Sequence, residues 1–192
     1  ELKFTTTTDT LEIALDRPYD ARDQLTVAVD YRAKQPQGGA HFVVPDENEP
    51  NQPRVLWTQC QPNDARAWFP TFDSPNERLT SETLVTVPEG YFVLSNGVLR
   101  DRREADGRTT WHWVQDQPHS PYLISVVAGA FEAYEQTWDG IPVISYVPPG
   151  RLGDAPRSFE KTPEMLRVFS EKIGVRYPWP KYTQICCDEY GG

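Results

Sequence analysis

This 192-residue sequence predicts a mainly β fold: a sandwich-type all-β domain that leads into the opening of a second, α/β domain. Three observations carry that expectation. Apolar and polar residues alternate with period two over most of the chain, as they do on half-buried strands. Turn dipeptides punctuate these runs at Asn96-Gly97, Asp106-Gly107 and Asp139-Gly140, residue types that tolerate positive φ. A single stretch of helical period occurs, and only beyond Pro148-Pro149-Gly150.

Leu11, Ile13 and Leu15 form the first alternation, and Leu25, Val27, Val29 and Tyr31 the second. Residues 54–59 read as a strand, as do 82–87; Pro88-Glu89-Gly90 interrupts, and 91–94 resume it. After a tight turn at Ser95-Asn96-Gly97, a hairpin spans 97–116 around Ala105-Asp106-Gly107. Thr109, Trp111 and Trp113 share one face of its return strand. Residues 122–127 make a near-continuous apolar run, which predicts a strand buried on both faces. Residues 131–138 and 141–147 complete the β pattern as a last hairpin. Beyond it, Phe159, Thr162, Leu166, Phe169 and Ile173 fall on one helical stripe with Met165 beside it, and Gly174 stops the helix. Pro163 makes the helix either start there, with Thr162 as its N-cap, or bend there. Tyr177-Pro178-Trp179-Pro180 is a stiff connection to a strand candidate at 182–187. One helix and one strand cannot close a core, so this tail reads as the incomplete start of a second domain. Both ends of the chain look cut.

Composition excludes several classes of function. Lys and Arg number 19 against 28 Asp and Glu, a net charge of −9, and no basic run offers itself to a phosphate backbone. No nucleic-acid partner is therefore expected, and the acidic surface favours cationic ligands. No apolar run approaches the roughly 20 residues of a membrane span, and no signal peptide opens the chain. Cys60, Cys186 and Cys187 make no disulfide framework and read as reduced, buried thiols. The compartment stays open, with the reduced thiols leaning towards the cytoplasm. His41, His112 and His119 are scattered, so no metal site is expected in this chain. Gly-rich phosphate loops and Gly-x-Ser-x-Gly elbows are missing, and no cysteine lies in an electropositive setting.

The densest chemistry lies in 56–75, LWTQCQPNDARAWFPTFDSP. If Gln59 and Gln61 are extended, both amides point to one face, where they can read a polar group by its hydrogen-bonding pattern. Arg66, the pair Trp68 and Phe69, and Asp73 between Pro70 and Pro75 follow. The Gln61-Pro62 bond is a candidate cis peptide. A Pro-rich connection in which Arg66 and Asp73 pair internally accounts for the same residues, and both readings stand at this point.

The run Thr58-Gln59-Cys60-Gln61-Pro62, then Ala65-Arg66, Phe69-Pro70, Phe72-Asp73 and Pro75, resembles the zinc aminopeptidases of the membrane alanyl aminopeptidase family. Val85-Thr86-Val87-Pro88, Leu94-Ser95-Asn96-Gly97, Pro121-Tyr122-Leu123, Val127-Ala128-Gly129, Pro178-Trp179-Pro180-Lys181-Tyr182 and Tyr190-Gly191-Gly192 follow in the family's order. The resemblance implies a saddle-like N-terminal all-β domain over 1–131 and the start of a thermolysin-like catalytic domain over 132–192. It implies that Gln59 and Gln61 line the first specificity pocket, Gln61 binding the free α-amine of a peptide substrate. Many family members carry Glu at the second position; Gln keeps the acceptor and loses the charge. Tyr190, Gly191 and Gly192 stand at the threshold of the family's Gly-x-Met-Glu-Asn segment, which binds substrate backbone, and Arg66 and Asp73 would brace the pocket through a charge-assisted pair. The implied cofactor is zinc in the full-length parent, held by a His-Glu-x-x-His helix that this sequence does not contain, so the chain alone should be inactive. The implied activity is removal of N-terminal amino acids from peptides. Two alternatives are a non-catalytic relative used as an interaction scaffold, and a β-sandwich adhesion module that binds glycans on Trp111, Trp113 and Trp138.

Overall fold

A computed structural model describes residues 2–8 and 10–187. Its strands are β1 (Lys3–Thr6), β2 (Leu11–Ala14), β3 (Gly39–Val43), β4 (Val55–Gln59), β5 (Leu79–Pro88), β6 (Phe92–Ser95), β7 (Val98–Ala105), β8 (Arg108–His119), β9 (Val126–Gly129), β10 (Glu132–Trp138), β11 (Ile141–Val147) and β12 (Tyr182–Ile185). Helices α1 (Ala155–Phe159) and α2 (Thr162–Ile173) lie between the last two strands. The fold is mainly β, as the alternation requires.

Strands β3-β4-β9-β6 form one sheet and β5-β8-β7 another, while β1-β2 is a separate ribbon. Val43, Val55, Trp57, Val93 and Val127 of the first sheet meet Val87, Trp111 and Trp113 of the second in one core. Burying these valines and tryptophans drives the two sheets together, since each removes apolar area from water and the tryptophans remove the most per residue. A third sheet, β10-β11-β12, joins an antiparallel hairpin to the parallel strand β12, and Tyr146 and Ile185 carry it onto the same core. The parallel step needs a crossover, which α1 and α2 provide.

The turn signals act as their residue types demand. Asp106 and Gly107 have φ of 52° and 68°, and Asp139 and Gly140 have 48° and 76°, the paired positive values that close two-residue hairpins. Gly97 (φ +73°) instead turns the chain from the first sheet to the second, and a Cβ there would lie 1.8 Å from the Val114 carbonyl oxygen. Gly174 ends α2 in the left-handed region, its N–H donating to the Ser170 carbonyl at 3.0 Å.

Five expectations need correction, the first being that all three cysteines are buried: Cys60 is, but Cys187 is half-buried and Cys186 exposed. Residues 25–31 form no strand: the segment has no regular secondary structure, with Leu25, Val27 and Tyr31 exposed and no ladder partner among the described residues. Alternation marks a strand only where a neighbour takes its hydrogen bonds. The apolar run at 122–127 opens with a 3-10 turn at Pro121–Leu123, and only β9 is a strand, buried at all its positions. Thr162 is the first residue of α2 rather than its cap; its buried hydroxyl donates to Gln184 Oε1 at 3.2 Å. The helical stripe is buried only at Thr162 and Leu166, whereas Phe169 and Ile173 are 61% and 70% exposed.

Candidate functional site

Strand β4 ends at Gln59, which lies opposite Gly39 in the antiparallel ladder with β3. Period two then sends Cys60 to the inner face and leaves Gln59 and Gln61 outward. Cys60 is 1% exposed, while both glutamines are exposed. Among the described residues neither glutamine side chain has a hydrogen-bond partner. The Gln61–Pro62 peptide is cis.

Beyond the proline the chain folds back on itself. The Asp64 N–H donates to the Cys60 carbonyl at 2.9 Å, and Trp68 and Phe69 N–H both donate to the Ala65 carbonyl at 3.2 Å. The 3-10 turn Ala65–Ala67 sits on the fully buried Ala65. Trp68 Nε1–H donates to Cys60 Sγ at 3.1 Å, and the Cys60 thiol donates to the Gly39 carbonyl at 3.6 Å. Burial pushes the Cys60 thiol pKa up; the Trp68 hydrogen bond opposes this, and the charges of Asp73 and Asp64 add to it. The thiol is therefore protonated at neutral pH and serves as a donor, not a nucleophile.

Arg66 and Asp73 come together, but differently from a charge pair. Asp73 Oδ2 accepts the Arg66 backbone N–H at 3.1 Å, and no guanidinium–carboxylate bridge forms between them. A carboxylate that takes a backbone donor fixes the path of the main chain, whereas a side-chain pair would fix only two side chains. Tyr190, Gly191 and Gly192 lie outside the described residues.

Two further positions belong to the site, and sequence reasoning missed their role. Gly39 has φ +75°, and a Cβ there would lie 2.3 Å from the Asp64 carbonyl oxygen and 2.9 Å from Trp68 Cδ1. Only glycine lets the loop close down on β3. Trp68 is the donor that holds Cys60. The Gly38-Gly39 pair was the available signal, since adjacent glycines before an apolar run mark a close backbone approach.

The other reactive groups lie elsewhere. His112 Nε2 pairs with Glu82 Oε1 at 2.5 Å across β8 and β5. His119 is buried, its ring nitrogens within reach of the Gln117 carbonyl at 3.0 Å and Ser81 Oγ at 3.3 Å. A cavity of about 330 Å3 is lined by Gln115, His119, Tyr177, Lys181 and Tyr182 among others, and another of about 260 Å3 lies beside the stacked rings of His41 and Trp57. Neither is lined by Gln59 or Gln61. Among the described residues no group of three or more His, Cys, Asp or Glu could hold a metal ion, so a zinc centre does not fit the residues described. No described helix is long and apolar enough to cross a membrane. Trp111 and Trp113 are buried in the core, while Trp138 is half-buried, so two of the three rings named for a glycan-stacking platform are unavailable to a ligand.

These features define a β domain that holds two outward amides on a loop bolted from beneath. Residues 1–123 match the Peptidase M1 N-terminal domain, and the chain belongs to that family. Aminopeptidase N of Streptomyces lividans is 28% identical over 185 residues, covering 93% of this chain and 21% of that protein. Glutamyl aminopeptidase of Homo sapiens is 29% identical over 141 residues, 71% of this chain and 14% of that protein. Transcription initiation factor TFIID subunit 2 of Drosophila melanogaster is 26% identical over 171 residues, 86% of this chain and 14% of that protein. The chain thus spans about a fifth or less of the length of these curated relatives.

Proposed function

We propose that this chain is the N-terminal, substrate-recognition part of a zinc-dependent aminopeptidase that removes N-terminal amino acids from peptides. The all-β domain occupies 1–131, and 132–192 begins the catalytic domain. Gln59 and Gln61 receive the free N-terminus, with the Gln61 side-chain carbonyl accepting from the substrate ammonium. One observation carries this reading: two outward amides without side-chain partners among the described residues flank the buried Cys60. A hydrogen bond to a charged group contributes about 1.5–3 kcal/mol, more than a neutral one, so a neutral Gln is a sufficient acceptor once water is excluded.

Tyr190, Gly191 and Gly192 would complete the substrate side of the pocket. The Asp73–Arg66 brace holds the loop in shape. Zinc, bound by residues of the full-length protein outside this chain, would supply Lewis-acid polarisation and water activation. The described residues bind and orient, and no chemical step runs through them.

The likeness to a transcription initiation factor subunit favours a second reading, a family relative that works through protein interaction. An activity panel of amino-acid arylamides on the full-length protein, with and without a chelator, separates the two. Cleavage that the chelator abolishes and zinc restores is the expected result; no cleavage of any arylamide by zinc-loaded protein would overturn the enzymatic reading.

A further inference from the structure

We infer that Trp68 is a positioning residue for the amine-binding pair, acting through Cys60 to set where the Gln59 and Gln61 amides point. The inference rests on the reading of Gln59 and Gln61 given above. Cys60 is the link between the two glutamines, and it is held at three points. Its carbonyl accepts the Asp64 N–H at 2.9 Å, its thiol donates to the Gly39 carbonyl at 3.6 Å, and its sulfur accepts the Trp68 indole N–H at 3.1 Å. Gly39 in turn lies opposite Gln59 in the ladder, so the same contact ties the loop to the strand that carries the first amide.

The arrangement is specific in chemistry as well as shape. The half-buried indole N–H of Trp68 takes Cys60 Sγ as its acceptor although a thiol sulfur is a weak one, so the contact is set by the placement of the two residues. Packing alone would be met by any apolar residue at position 60; the donor and acceptor both used by Cys60 are not. Phe69 stands edge-on to Trp68 at 4.6 Å, which holds the indole in its plane. Because Cys60 faces inward and its neighbours outward, a rotation of Cys60 turns both amides. A hydrogen bond weakens steeply as its angle departs from linear, so a small rotation of an amide costs contact with the ammonium.

The test uses the full-length protein and the amino-acid 4-nitroanilide that the wild type cleaves fastest. Three substitutions dissect the contact: Trp68→Phe keeps the ring and removes the N–H, Cys60→Val keeps an apolar side chain without donor or acceptor, and Cys60→Ser restores both. Trp68→Phe and Cys60→Val are expected to raise KM about three- to tenfold with kcat within about twofold, the loss of one ordinary hydrogen bond. Cys60→Ser is expected to recover most of what Cys60→Val loses. Melting temperature is recorded for each, since a purely structural contact would lower it and leave KM where it was.

Gln61→Ala is run alongside as the benchmark. If it raises KM while Trp68→Phe and Cys60→Val do not, or if Cys60→Ser and Cys60→Val shift KM equally, the positioning role is overturned and the amine-binding reading stands. If Gln61→Ala itself leaves KM unchanged, or no arylamide is cleaved at all, the amine-binding reading fails and the positioning role falls with it.

Discussion

Two connections leave the same four-stranded sheet and treat their polar groups in opposite ways. At the end of β6, the corner Ser95-Asn96-Gly97 is satisfied throughout. Asn96 donates to the Leu123 carbonyl at 2.8 Å and accepts the Ser125 N–H at 2.7 Å, while Ser95 Oγ donates to the Ser125 carbonyl at 2.7 Å. Lys181 reaches in from just before β12, its ammonium donating to the Ser95 and Gly97 carbonyls at 2.7 and 2.5 Å with the Trp113 ring 4.7 Å away. At the end of β4, the loop is equally fixed underneath, by Cys60, Trp68 and Asp73, yet it turns two amides outward with no described partner. A satisfied corner is architecture; a rigid loop with unspent hydrogen-bonding groups is available for the recognition proposed above.

The largest effect expected is at the glycine of the corner. Gly97→Ala places a methyl group 1.8 Å from the Val114 carbonyl oxygen at φ +73°. Left-handed strain plus a backbone clash should cost roughly 3 kcal/mol or more, read as a fall of about 6–12 °C in melting temperature. The KM of the full-length protein is expected to stay unchanged, because this corner is not part of the proposed amine-binding loop. A KM effect without a stability effect would reverse the roles assigned to the two connections.

A smaller, pH-dependent effect belongs to Lys181. Burial lowers its pKa from 10.5 to about 8. The unfolded chain therefore binds this proton more tightly than the folded one, and its contribution to stability grows as pH rises from about 8 to 10.5 and is lost as pH falls through 8. Tyr177, raised by burial and by Tyr182 to about 12, acts in the opposite sense above pH 10, as does the Cys60 thiol above its ordinary range. Lys181→Met isolates the lysine, since both other groups remain. Wild type should gain stability relative to Lys181→Met between pH 8 and 10 in urea unfolding, and a difference that is flat across that window would contradict the burial of this charge.

Much of this was legible in the chain itself. Strands β5, β8, β10 and β11 are long and amphipathic, so alternation located them, and Asp-Gly pairs located the turn into β8 and the turn between β10 and β11. The Asn96-Gly97 signal marked a turn without showing that it passes between sheets. Strand β3 escaped because it opens on Gly39, which carries no side chain to join a pattern. The stripe on α2 showed a helix but not that its C-terminal half, at Phe169 and Ile173, stays exposed, since periodicity records which residues share a face and not what covers it. The glutamines stood out through their order among neighbouring motifs. Their support did not: Trp68, Cys60 and Gly39 meet through a loop without period, and the need for glycine at 39 comes from the Asp64 carbonyl. The Arg66–Asp73 contact was visible as a pair of charges, although the donor is a backbone N–H that no side-chain pattern encodes.

The smallest structural effect should accompany the clearest functional one. Gln61 is exposed and carries no described side-chain partner, so Gln61→Ala should leave the melting temperature within about 2 °C of wild type. In the full-length protein it should raise KM for amino-acid arylamides about ten- to a hundredfold, the worth of one hydrogen bond to an ammonium, with zinc content unchanged. An unaltered KM in that variant would contradict the assignment of the substrate's free amine to the Gln59–Gln61 loop.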